Sequence, residues 1–143
     1  MFAEFGVFSS IIVAAAVAFF VGFLWHGPLF GRQWMALAKV GKKEIAAAKK
    51  KGMGGMGKQM LANFATNLVM AFVLVYVLSL AGAATILDAT MVAFWIWLGF
   101  IATVQLSSVL WEKMSLGMYT FKAVYNLVSL AIMANVILLV SVL

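Results

Sequence analysis

Seven polar side chains near the ends of long apolar runs are those with which this chain could do chemistry: His26, Arg32, Asn63, Asn67, Glu112, Lys122 and Asn126. Histidine titrates near neutrality, so His26 is the one ring able to switch charge under physiological conditions. Glu112 stands where a helix should finish, facing the negative end of the helix dipole, and needs a compensating cation. Arg32, Lys113, Lys122 or a protonated His26 could supply it. Asn63 and Asn67 recur at four-residue spacing with Gln59 and Ala71, and amides in hydrocarbon are costly unless paired, so this helical face should look inward. Together the seven predict a ligand site for a lipid headgroup or small solute. They do not form a recognisable catalytic set, because acid and base work needs paired groups in hydrogen-bond reach. No Ser/His/Asp order, metal-ligand spacing or phosphate-binding loop is present, so no catalytic residue, metal ligand or cofactor is assigned. The absence of cysteine removes disulfides and thiolate chemistry.

The elements that must position these groups are membrane helices. At 66% hydrophobic and 10% charged over 143 residues, with a mean hydropathy of +1.13, the chain has too little polar surface to cover a soluble globule. The expected fold is an all-α integral membrane protein, a four-transmembrane-helix bundle forming a single domain over residues 1–143. Spans are expected at about Val7–Trp25, Gln59–Leu80, Met91–Leu110 and Met118–Leu143. Met1 to Gly6 contain no Lys or Arg, so the positive region of a signal peptide is missing and the first span is expected to be retained. Ser10, Ala14, Ala18 and Gly22 line small side chains along one face, where another helix can approach closely. Pro28, between Gly27 and Gly31, should end or bend the first helix near His26. Trp25, Trp34, Trp95 and Trp111 are expected as interface anchors, with Trp97 beside Trp95 at the far interface.

Eight of the ten basic residues lie between Arg32 and Lys58. Within this loop, Trp34 to Lys51 is patterned as a short amphipathic helix on the membrane surface, and Gly52 to Gly57 as a flexible connector. Its lysines could attract anionic headgroups at about 1 kcal/mol each. Threading four spans puts every Lys and Arg on one side, which the positive-inside rule makes cytoplasmic, with both termini on the non-cytoplasmic side. The expected location is the bacterial inner membrane. Partners are expected to be membrane lipids, and further copies of the chain or a larger membrane complex. Nucleic acid is not expected, since no groove-reading or base-stacking module accompanies the charge.

With this threading, Asn63, Asn67, Thr103, Gln105, Ser107, Ser108, Lys122, Asn126 and Ser129 fall in the cytoplasmic halves of their spans. The outer half holds little beyond Ser79 and Asn135. That distribution predicts a polar vestibule open to the cytoplasm and closed outward. Leu24-Trp25-His26 and Leu110-Trp111-Glu112 suggest a parallel repeat in which His26 and Glu112 occupy equivalent places and face each other.

Trp25-His26-Gly27-Pro28-Leu29-Phe30-Gly31 with Trp34-Met35, then Trp97-Leu98-Gly99-Phe100 and Trp111-Glu112, resembles the membrane family known as domain of unknown function 1761. The resemblance covers nearly the whole chain, with His26 where an aromatic such as tyrosine is common and Trp111 in place of phenylalanine. It implies a small multi-span membrane protein and brings no activity with it. The functional expectation is a non-enzymatic assembling or accessory protein with a vestibule for a headgroup or solute. A small transporter or channel is the alternative, and an intramembrane enzyme using Glu112 and His26 the third reading.

Overall fold

The computed structural model describes residues 4–39 and 41–142, and the side chains of residues 4, 5, 45, 48 and 51–56 lie outside the description. Met1–Ala3 of the expected signal-free start, Leu143 of the last span, and the side chains of Ile45 and Lys51 in the expected surface helix are therefore not described. All regular structure among the described residues is helical. In hydrocarbon every backbone polar group must be satisfied within the chain, and apolar runs of this length meet that demand as helices. The elements are α1 (Glu4–Leu24), a π turn (Trp25–Leu29), α2 (Gly31–Leu37), α3 (Lys42–Leu80), α4 (Ile86–Ile96), a second π turn (Trp97–Ala102), α5 (Thr103–Trp111) and α6 (Leu116–Ser141). Four stretches are long and apolar enough to cross a membrane: Gly6–Leu29, Gly57–Ala81, Ile86–Trp111 and Leu116–Ser141.

α6 is the hub. It packs most extensively against α1 on one side and α4 on another, while α3 lies mainly on α1 and only lightly on α6. Ser10, Ala14, Ala15 and Ala18 are fully buried, and small side chains allow that close helix approach. A Cβ added at Gly6 would stand 3.5 Å from the Ser141 carbonyl oxygen, and one at Gly22 would stand 2.7 Å from the Tyr125 hydroxyl. α1 and α6 therefore run antiparallel along most of their length. Leu78, Met133 and Ile137 fill the centre with Ile11 and Leu74.

The wide turns have identifiable causes and compensations. Pro28 has no N–H to give to the preceding turn. The first helix nevertheless continues past His26, because Phe30 N–H reaches back five residues to the Trp25 carbonyl at 3.1 Å. The end or bend expected near His26 takes the form of one π turn from Trp25 to Leu29. At the second π turn, side chains supply donors to the carbonyls: Thr103 Oγ1 to Gly99 O at 2.7 Å and Tyr119 Oη to Ala102 O at 2.7 Å. Trp97 Nε1 donates to Ala123 O at 2.8 Å, fastening the third span to α6.

Three local expectations are corrected. The helix expected from Trp34 to Lys51 is divided by the segment after Leu37, where Lys39 takes φ 56°. The expected glycine connector is helical: α3 runs unbroken for 39 residues through Gly52, Gly54, Gly55 and Gly57. Each glycine costs about 1 kcal/mol against alanine, but a helix growing from Lys42 to Leu80 needs no fresh nucleation there. At 1.5 Å per residue α3 is about 58 Å long, so roughly half extends beyond a hydrocarbon layer of about 30 Å. The third correction concerns the start of the third span, expected at about Met91 and set earlier by Asp88. Its Oδ2 accepts from Ala84 and Thr85 N–H at 3.0 Å while Thr85 Oγ1 accepts from Asp88 N–H at 3.1 Å. This capping box starts α4 at Ile86. Trp95 and Trp97 consequently lie deep within the third span, about 14 to 17 Å from its start, and Trp97 is bonded inward instead of anchoring at the interface.

Candidate functional site at the lysine-rich end

A Cβ on Gly117 would meet Leu37 Cδ2 at 2.9 Å, which places α2 over the start of α6. The beginnings of α3 and α6, α2 and the π turn at Trp25–Leu29 thus border one end of the molecule, the end that carries the basic residues. Here α1, α3 and α6 enclose a cavity of about 310 Å³ lined by Phe19, Gly22, Phe23, His26, Met60, Asn63 and Tyr125.

The π turn sets the position of His26. Its Nδ1 lies 3.0 Å from the Gly22 carbonyl oxygen. A carbonyl only accepts, so Nδ1 carries the proton and Nε2 is the nitrogen free to serve another group. The imidazole is packed edge-on by three rings, Tyr125 at 4.9 Å, Phe121 at 5.8 Å and Trp34 at 5.9 Å between centroids. Trp25 joins the cluster against Phe30 at 4.5 Å and against Phe121 and Tyr125 at 5.9 Å. Its indole N–H is buried without a hydrogen-bond partner among the described residues. Ser129, one turn along α6 from Tyr125, is buried. Only a glycine at position 22 leaves room for the Tyr125 hydroxyl beside α1.

The expected site residues are divided between two places. His26 and Asn63 share the cavity just described, but of the face expected to look inward Gln59 and Asn63 are exposed and only Asn67, one turn deeper on α3, has a buried amide. Lys122 lies elsewhere, half-buried in a cleft of about 80 Å³ with Gln105, Ser108, Met114 and Tyr119. Gln105 Oε1 is buried there without a hydrogen-bond partner among the described residues. Asn126 is half-buried on α6 between Tyr125 and the turn below Lys122, and Arg32 is exposed on α2. Glu112 is exposed at the end of α5, where its N–H and that of Met114 both donate to Ser108 O at 3.1 Å. His26 is surrounded by rings from α2 and α6, and Glu112 is not among its contacts. The second π turn begins at Trp97, well before Trp111, so the Leu-Trp-His and Leu-Trp-Glu sequences occupy dissimilar turns.

Of the expected anchors, Trp95 and Trp111 are exposed, while Trp25 and Trp34 are half-buried within the ring cluster. The small-residue face formed by Ser10, Ala14 and Ala18 is buried within the chain, and Gly22 on the same face meets Tyr125 of α6. Tyr125 is the polar cavity residue that sequence reasoning left out of the site, with the apolar Phe19, Phe23 and Met60. Its four-residue spacing from Phe121 and Ser129 was the available signal, but that spacing also describes ordinary packing.

Four apolar helices of spanning length, joined at one end by basic segments, define an integral membrane protein. The chain belongs to the family described as a protein of unknown function (DUF1761), which matches it over residues 9–138. Neither a curated protein nor a solved structure matches it.

Proposed function

We propose that this protein is a non-enzymatic membrane protein that holds an oxyanion, on a lipid headgroup or a small solute, in the cavity between α1, α3 and α6. The observation that carries the proposal is the convergence of His26, Asn63 and Tyr125 on one cavity at the lysine-rich end. Its volume of about 310 Å³ reaches the lower end of the range of about 300–1,000 Å³ typical of ligand pockets. The chemistry suits oxygen ligands. The Asn63 amide carries two N–H donors, and a protonated His26 donates from Nε2 while Nδ1 stays on Gly22. The rings packed on the half-buried His26 shield that side chain in part from water and strengthen a polar contact to it.

In this reading the lysine-rich end is cytoplasmic, both termini are on the other side, and the membrane is the inner membrane of a bacterium. The projecting start of α3, with Lys42, Lys43, Lys49 and Lys50 exposed, raises the local concentration of anions at the site. Binding is favoured over conduction, because a conducting path needs polar atoms through the membrane or a short gate. The opening between α3 and the third span is instead lined by apolar side chains alone. Binding is favoured over catalysis because Glu112 lies exposed at the end of α5, away from the rings that enclose His26.

The test is calorimetric titration of glycerol 3-phosphate into the protein in phosphatidylcholine nanodiscs. His26→Phe and Asn63→Ala should each weaken binding about ten-fold, the worth of one charge-assisted hydrogen bond. Leu61→Ala, on an exposed part of α3, should leave it unchanged. Absence of saturable binding by the unsubstituted protein would overturn the proposal.

A further inference from the structure

A second opening, on the other side of α3, is built differently. Between α3 and the third span runs a cleft of about 480 Å³ whose walls include Val69, Val73 and Val77 on one side and Ile96 and Phe100 on the other, with Leu130 of α6 at its base. From Val69 to Val77 it extends about 12 Å along the helix axis. Its walls are kept apart by the fold itself. The Trp97 indole bond to Ala123 and the Tyr119 bond to Ala102 hold the third span on α6, while α3 packs mainly on α1.

Beyond the cleft, the α6 stripe that carries Leu130 turns polar. Four residues from Leu130 toward the lysine-rich end is Asn126, and four further is Lys122, both half-buried. Residues four apart occupy one helical stripe, so carbon gives way to an amide and then to a cation over about 12 Å. No carboxylate stands within salt-bridge distance of Lys122 among the described residues. A half-buried cation without a carboxylate partner is open to an external anion. An apolar slot whose α6 stripe leads toward such a cation suits an amphiphile in both shape and charge.

We infer that the cleft between α3 and the third span holds one acyl chain of an anionic phospholipid, whose phosphate lies by Asn126 and Lys122. This site is distinct from the His26 cavity and does not depend on it. The cleft supplies the chain with dispersion contacts on three sides, and Lys122 selects the headgroup by charge.

The test is native mass spectrometry of the protein released from nanodiscs of mixed phosphatidylglycerol and phosphatidylcholine. The unsubstituted protein should retain a single phosphatidylglycerol. Val73→Trp, which fills the cleft, should reduce retention about ten-fold or more, while Phe72→Trp, on the exposed side of α3, should behave as the unsubstituted protein. Lys122→Gln leaves the walls intact and should keep a bound lipid while losing the preference for phosphatidylglycerol. Equal retention by the Val73 and Phe72 variants, or an unchanged headgroup preference in Lys122→Gln, would overturn the inference. The chain has no cysteine, so Val73→Cys also tests the competing occupant: disulfide-linked dimers formed in native membranes would show a second copy there and refute the lipid. Glycerol 3-phosphate titration of Val73→Trp keeps the two sites separate, because binding in the His26 cavity should survive that substitution.

Discussion

Gly22→Ala should abolish ligand binding at the His26 cavity while leaving the fold almost as stable as before. Alanine in place of a helical glycine contributes about 1 kcal/mol through backbone entropy. Against this, the new Cβ would sit 2.7 Å from the Tyr125 hydroxyl, so the phenol ring must withdraw by several tenths of an ångström. That ring is wedged against His26 at 4.9 Å and Trp25 at 5.9 Å, so its retreat disturbs those ring contacts. An aromatic pair contributes about 0.5–1.5 kcal/mol beyond its area burial. The two effects nearly cancel, leaving a net change of about 0.5 kcal/mol or less. Gly22 and Tyr125 both line the cavity, so the methyl group and the displaced ring take up ligand volume. Reversible unfolding in mixed micelles of increasing dodecyl sulfate content gives the stability, and glycerol 3-phosphate titration gives the affinity. A loss of more than about 2 kcal/mol, as overpacking would give, would show that Gly22 is required for packing. Unchanged affinity would refute the assignment of the cavity.

Three other predictions concern how the scaffold is held. Asn135 Nδ2 donates to Thr90 Oγ1 at 3.0 Å and to Ala131 O at 2.9 Å, while its Oδ1 is buried without a partner among the described residues. A double-mutant cycle on Asn135 and Thr90 should therefore give a coupling of about 0.6 kcal/mol, and Asn135→Leu alone should be close to neutral because it also removes the unpaired oxygen. Lys113 adopts φ 60° where α5 ends, the left-handed position that Gly82 fills after α3. Lys113→Gly should stabilise by about 1 kcal/mol in the same unfolding assay, and Gly82→Ala should destabilise by a similar amount. Spin labels at positions 43 and 58 should report a narrow distance distribution about a backbone separation of roughly 22 Å, the length of fifteen helical residues. A broad distribution would restore the flexible glycine connector.

The four apolar helices were legible because uninterrupted hydrophobic runs leave few alternatives in a chain with so little charge. Asn63 and His26 were legible as costly polar groups near the basic end, and the structure brings them to one cavity. Their separation from Lys122 was not legible. Depth along a span says how far a residue lies from the membrane surface, but not which of three neighbouring helices its face meets. The single expected vestibule is consequently two smaller openings on different sides of the bundle. The continuity of α3 was hidden by its four glycines, whose local cost is real but is outweighed by helix propagation from both sides. Pro28 marked the place of an irregular turn but not its width, since a reach of five residues lets the helix pass the missing N–H. Trp97 read as an interfacial anchor because an indole N–H usually seeks the headgroup layer, yet a helix carbonyl at Ala123 serves it equally well.

Because the chain contains one histidine, a histidine-selective nitrogen NMR spectrum holds a single imidazole and reports on the proposed site alone. In phosphatidylcholine nanodiscs Nδ1 should appear protonated, held by the Gly22 carbonyl, and the Nε2 resonance should move on addition of glycerol 3-phosphate while Nδ1 stays fixed. An Nε2 resonance indifferent to that ligand at saturating concentration would contradict the account.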